Sequence, residues 1–101
     1  MRKIEQEMIH AFINRGTKKN KNDHVVTSWG TTAWYYRGNL IAVLKGDSYC
    51  QINDATWRSK TTKSRLNAIL YTLKPDTRIS QKDYTWYIND KVWQGSLGFY
   101  Y

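Results

Sequence analysis

Arg58, Lys60, Lys63 and Arg65 alternate with the hydroxyls of Thr61, Thr62 and Ser64 immediately ahead of an apolar run, Leu66-Asn67-Ala68-Ile69-Leu70. A helix starting here presents free backbone N–H groups and a partial positive charge at its first turn. Cations added to that turn are electrostatically unfavourable unless an anion lies nearby. The N–H groups, the three hydroxyls, Lys63 and Arg65 could together hold one phosphate. The competing reading is a solvated helix end, with a threonine capping the backbone and the cations in water. A compact anion asks for a single pocket at the cap, whereas a polymer asks for charge that continues across the surface.

Two further groups could extend this site. Lys18, Lys19 and Lys21, with Arg15, form a basic stretch of the kind that contacts phosphate backbones or simply keeps a loop soluble. Trp34 and Trp86, beside Arg37 and Lys91, belong to a set of aromatics with Trp29, Tyr36 and Tyr87 that a small sheet does not bury completely. Such rings could stack on bases, or pack the sheet against helices. The C-terminal Leu97-Gly98-Phe99-Tyr100-Tyr101 is apolar and suits either an edge strand or self-association into a homo-oligomer.

Catalytic patterns are thin. His10 lies on the polar flank of a helix and His24 opens a strand, neither beside a Ser or Cys in triad-like order. The eight acids are scattered, and Gly38 and Gly46 punctuate turns instead of forming a phosphate-binding loop. Cys50 is the only cysteine, so intramolecular disulfides and cysteine-based metal sites are excluded, and a buried, inert thiol is expected. No metal or other cofactor is expected. A nuclease built on His24 with Lys and Arg groups is the weakest of the functional readings.

The elements that must position these residues follow from periodicity. Residues 1–15 read as a helix with Ile4, Met8 and Phe12 on one stripe, Ile9 and Ile13 beside it, and Gly16 just past the end. Residues 16–23 read as a mobile basic loop. Residues 24–54 read as a meander of short strands: 24–29, 32–37, 40–44 and 48–52, with turns at Gly30, Gly38-Asn39 and Gly46-Asp47. The continuous 40–44 segment should be central. A second helix spans 61–74, capped by Thr61 or Thr62 and buried through Leu66, Ile69, Leu70 and Leu73, with Pro75 ending it. Residues 77–101 return to strands, with a hairpin at Asn89-Asp90. The order predicts an α+β domain: a small antiparallel sheet, meander plus C-terminal hairpin, with an N-terminal and a central helix on one side.

The chain has 101 residues, enough for one domain, and its 15% aromatic content supplies core area that the aliphatics lack. Its formal charge of +8, from 16 Lys+Arg against 8 Asp+Glu, biases it toward polyanions. No apolar run is long enough for a bilayer, and the Ile4-Glu5-Gln6-Glu7 start lacks a signal peptide's apolar core, so a cytoplasmic protein is expected, without membrane association.

The stretch from Val25 to Leu70 resembles a group of small proteins encoded by tailed bacteriophages. The shared pattern is Gly38-Asn39-Leu40-Ile41-Ala42, the Gly46-Asp47 turn, a tryptophan (Trp57), and Thr61-Thr62-Lys63-Ser64-Arg65-Leu66-Asn67. Ile79 to Tyr87 is similar to their C-terminal hairpin, so the resemblance covers about residues 24–90. Arg37 stands where that group commonly has histidine, which removes any role for a histidine there. The resemblance implies an accessory factor acting in the bacterial host cell on host machinery or host defence. Residues and resemblance together lead to a non-enzymatic accessory protein that binds a nucleic acid or nucleotide through the basic helix start. The alternative is a protein-interaction inhibitor of a host enzyme.

Overall fold

The computed structural model describes residues 1–56 and 58–101. Helix α1 spans Lys3–Ile13 and helix α2 spans Lys60–Leu73. A main sheet contains β1 (Lys18–Asn20), β2 (Asp23–Ser28), β3 (Thr31–Tyr36), β4 (Asn39–Lys45), β5 (Tyr49–Asn53) and β9 (Ser96–Tyr100), in the order β1-β2-β3-β4-β5-β9. A second sheet has β6 (Ile79–Lys82), β7 (Thr85–Ile88) and β8 (Lys91–Val92). All pairings are antiparallel. The α+β class and the meander-plus-hairpin arrangement are therefore as the residue pattern predicts.

Alternation along the strands decides which face is buried. Val25, Trp34, Ala42, Ile52 and Leu97 lie opposite one another across five strands, as do Thr32, Leu44, Cys50 and Phe99 across four. These rows meet Met8, Ile9 and Phe12 of α1 and Leu66, Ile69 and Leu70 of α2 in one core. Phe12 packs on Trp34 with ring centroids 5.5 Å apart. The apolar continuity of 40–44 has a local cause: the β3–β4 register slips after Trp34, so Ala42 faces Trp34 while Leu40 faces Tyr35. Ile41 is the extra residue of a bulge, and it and Ala42 are both buried.

Several boundary expectations are corrected. Lys18–Asn20 forms an edge strand, not a loop, because its backbone pairs with β2; lysines suit such an edge. At the end of α1, Arg15, not Gly16, takes the left-handed conformation (φ 58°). The Arg15 N–H bonds to the Phe12 carbonyl and the Gly16 N–H to the Ala11 carbonyl, the paired bonds of a Schellman ending. Ile13 is exposed. The N-cap of α2 is Ser59, whose hydroxyl accepts from the Thr62 N–H at 3.0 Å, not Thr61 or Thr62. The C-terminal segment closes the free edge of β5.

Candidate anion site at the start of the second helix

The basic run divides between surface and interior. Arg58 precedes the cap and donates from Nε to Asp54 Oδ2 at 2.7 Å and from Nη2 to the Trp93 carbonyl at 3.0 Å. Its guanidinium also lies over Trp86 and Trp93, 5.3 and 5.9 Å from the ring centroids. Those two indoles are nearly parallel, with centroids 6.2 Å apart. Arg58 thus fastens the second sheet to the linker ahead of α2. Trp57, the tryptophan of the phage-like pattern, lies outside the described residues. Lys60 is exposed, and Thr61 and Lys63 are half-buried, with Lys63 Nζ 3.4 Å from Gln81 Oε1. No acid stands in the first turn of α2, so its positive end is offset by no carboxylate of that turn.

Arg65 is not at the surface. It is 4% exposed and donates to two acids from other elements. Nε and Nη2 reach Asp23 Oδ1 and Oδ2 at 2.9 and 3.0 Å, a two-pronged pairing, and Nη1 reaches Glu5 Oε2 at 2.8 Å. Trp34 Nε1 donates to Asp23 Oδ1 at 2.9 Å, and Ser64 Oγ donates to Glu5 Oε2 at 2.5 Å. The Arg2 N–H completes the shell of Glu5 at 3.1 Å. Tyr36 lies under the guanidinium, 5.5 Å away. Burial by itself would raise the Glu5 carboxyl. Hydrogen bonds from Ser64, the Arg2 backbone and Arg65, with the charge of Arg65, outweigh burial and hold it below the usual carboxylate range. Burial likewise works against the charge of Arg65, while Asp23 and Glu5 raise its pKa further.

Arg65 and the fully covered Thr62 therefore belong to the interior, a correction to their expected place at a ligand. The signal was in the spacing. Arg65 lies three after Thr62 and four before Ile69, Glu5 shares the stripe of Met8, Ile9 and Phe12, and Asp23 alternates with Val25. Each charge sits at an apolar-period position of its own element.

Beside the basic run lies a groove of about 430 Å³ between α2, the start of the chain and the segment 75–78. It is lined by Lys63, Ser64, Asn67 and Tyr71 of α2 and by Arg78, with Glu5 also at its wall. Asn67 positions the far side: its Nδ2 donates to the Ile79 carbonyl and its Oδ1 accepts from the Ile79 N–H, both at 2.8 Å. Arg78 is held one residue earlier, its N–H donating to Asn89 Oδ1 at 2.9 Å. Sequence periodicity does not bring Arg78 to Lys63, because the turn after Pro75 sets that approach.

Of the secondary residues, Lys18 and Lys19 are exposed on β1, and Lys21 occupies the β1–β2 turn with φ 54°. Arg37 and Gly38 form the positive-φ pair between β3 and β4. Trp34 and Trp86 are interior, at 0% and 2% exposure, which corrects their expected use for stacking. Trp34 packs on Phe12 and Trp86 on Trp93 within the core. His10 is exposed on α1 beside Asn14. Among the described residues, no group of three or more His, Cys, Asp or Glu is placed to hold a metal ion. Burial pushes the Cys50 thiol up to about 12. No helix among the described residues is long and apolar enough to cross a membrane.

Comparison with curated proteins and with solved structures gives no match in either case. The model of one protein family matches residues 1–99, nearly the whole chain and more than the resemblance covered. The chain belongs to the Kyanoviridae Gp96 protein family, a family of phage proteins.

Proposed function

We propose that this is a non-enzymatic accessory protein of the host-takeover or anti-defence kind, acting in the host cytoplasm. Its partner is anionic, a nucleic acid or nucleotide, and is held at the start of α2. The observation that carries this reading is the groove in which Lys63 and Arg78 flank Ser64 and Asn67, with exposed Lys60 on the preceding turn. Lys63 on α2 and Arg78 just ahead of β6 supply two cations that suit a phosphate. The Ser64 hydroxyl is already given to Glu5 and the Asn67 amide to the Ile79 backbone, so they shape the groove. The net charge of +8 adds long-range attraction.

The test is anisotropy of labelled oligonucleotides over a salt series, with mononucleotides as competitors. Three phosphate contacts, from Lys60, Lys63 and Arg78, give a slope of log K against log salt of about −2.7 for duplex and about −2 for single strands. Lys63→Glu/Arg78→Glu should abolish most of the binding. Binding that ignores salt, or survives that double substitution, refutes the helix start as the site.

One observation favours a second reading, an inhibitor of a host protein. Trp29 is fully exposed with φ 53°, and Tyr84 is 95% exposed with φ 67°. Large rings in the left-handed region strain two hairpin turns and give the fold no packing in return. This reading predicts capture of one host protein from nuclease-treated lysate, lost in Trp29→Asn. If wild type and Trp29→Asn capture the same proteins, the second reading fails.

A further inference from the structure

The main sheet has a second face, turned away from both helices. The alternation that buries Val25, Trp34 and Cys50 sends the intervening residues to this side, and none of them is buried. Two cross-strand rows stand out. One runs from Lys19 on β1 through His24 on β2 to Tyr35 on β3. The other runs from Lys45 on β4 through Tyr49 on β5 to Tyr100 on β9. Each row thus sets a lysine and a tyrosine in line. Between them runs the row Val26, Ala33, Val43, Gln51 and Gly98, small or apolar except for the Gln51 amide.

Two features shape this face for flat, negatively charged chains. First, the chain has eight Asp and Glu, yet none is among the outward residues of this face: Glu5 and Glu7 lie on α1, Asp23 points inward to Arg65, and the other five fall between elements. Second, the Tyr49 ring lies across Gly98. A Cβ at position 98 would overlap the Tyr49 hydroxyl and meet its ring carbon, so only glycine lets the ring lie down there. Tyr49 and Tyr100 then form a pair with centroids 4.9 Å apart, and Tyr100 is 78% exposed.

We infer that the open face of the main sheet binds a single-stranded nucleic acid, whose bases stack on Tyr35, Tyr49 and Tyr100 while Lys19 and Lys45 contact its phosphates. Rings on an open sheet accept any base, and flanking lysines follow the backbone. A duplex hides its base faces and gains nothing from the tyrosines. This inference rests on the anionic-partner reading for its class of ligand, but its site is on the other side of the sheet from α2.

The experiment uses the full chain, labelled 12-nucleotide oligothymidine and oligouridine, and a duplex of equal length. Urea midpoints confirm that each variant is folded. Both single strands should bind more tightly than the duplex. Tyr35→Leu/Tyr100→Leu should weaken them about tenfold or more, whereas Tyr35→Phe/Tyr100→Phe should not. Lys45→Glu should weaken single-strand binding and flatten its salt dependence. Preference for the duplex, or indifference to the leucine variant, overturns the inference. So does dimerisation of the free chain lost in the leucine variant, which would make the face a self-interface. If single strands bind through Lys63 and Arg78 but not through the tyrosines, the helix-start reading stands and this one falls. Binding through the tyrosines but not through Lys63 and Arg78 supports the open face and removes the helix start. Absence of oligonucleotide binding refutes the open face and the nucleic-acid form of the helix-start reading, while its nucleotide form is tested by mononucleotide titration.

Discussion

Replacing Arg65 with Met should bring the protein to the edge of unfolding. The side chain carries three hydrogen bonds to two carboxylates, Asp23 and Glu5, which are 1% and 2% exposed. Methionine fills much of the same volume but leaves both acids buried without a counter-charge. Removing one partner of a buried pair costs about 3–5 kcal/mol, and with two acids orphaned the upper end applies, about 5 kcal/mol. A chain of 101 residues has a total stability of roughly 5–15 kcal/mol. The substitution therefore removes a third or more of it. Urea unfolding followed by tryptophan fluorescence measures this, since Trp34 itself bonds to Asp23. The triple variant Glu5→Gln/Asp23→Asn/Arg65→Met removes all three charges together and should regain most of the loss. A loss below about 1 kcal/mol in Arg65→Met, or no recovery in the triple variant, refutes the reasoning. The result also bears on ligand tests: charge reversal at Arg65 should unfold the chain and so report nothing about binding, which is why Lys63 and Arg78 are the residues to change.

Three further outcomes are expected. Ser59→Ala should lower stability by about 1 kcal/mol because the Thr62 N–H loses its acceptor, while Thr61→Ala stays within about 0.5 kcal/mol; equal effects would move the cap. Trp29→Asn should raise the unfolding free energy from urea titration by about 1 kcal/mol, since asparagine accepts the left-handed turn more readily; a drop would show packing by the Trp29 ring. Glu5 has a lowered pKa in the fold, so its stabilisation is fully present above the unfolded-state value of about 4.3 and is lost as pH falls through the lower folded value. Glu5→Gln should accordingly flatten the acid limb of stability against pH, and an unchanged limb would contradict the cause assigned to the shift.

Sequence and structure agree where local rules govern. The spacing of Met8 and Phe12, and of Leu66, Ile69 and Leu70, marks helix faces that are indeed buried. The turns at Gly30, Gly38 and Gly46 separate the strands because glycine takes positive φ there without strain. Agreement fails where a residue's type is considered without its phase. Composition groups Arg65 with Lys63 as a surface cation, although its position on the helix circumference belongs to the core. Composition likewise groups Trp34 and Trp86 as stacking rings, although strand alternation turns Trp34 inward beside Asp23.

The sequence alone determined the order of the two helices and of the strands other than β1, the buried helix faces, the basic balance and the exclusion of intramolecular disulfides, because each depends on neighbours a few residues away or on counting. Tertiary structure decided which charges neutralise one another. Arg65 meets Glu5 and Asp23 across separations of 60 and 42 residues, and no local pattern pairs them. It also decided that Arg78 joins Lys63 at one groove. The return of Ser96–Tyr100 to β5 sets Tyr100 beside Tyr49 on an open face. Such pairings arise because buried charges and free strand edges must find partners wherever the folded chain brings them.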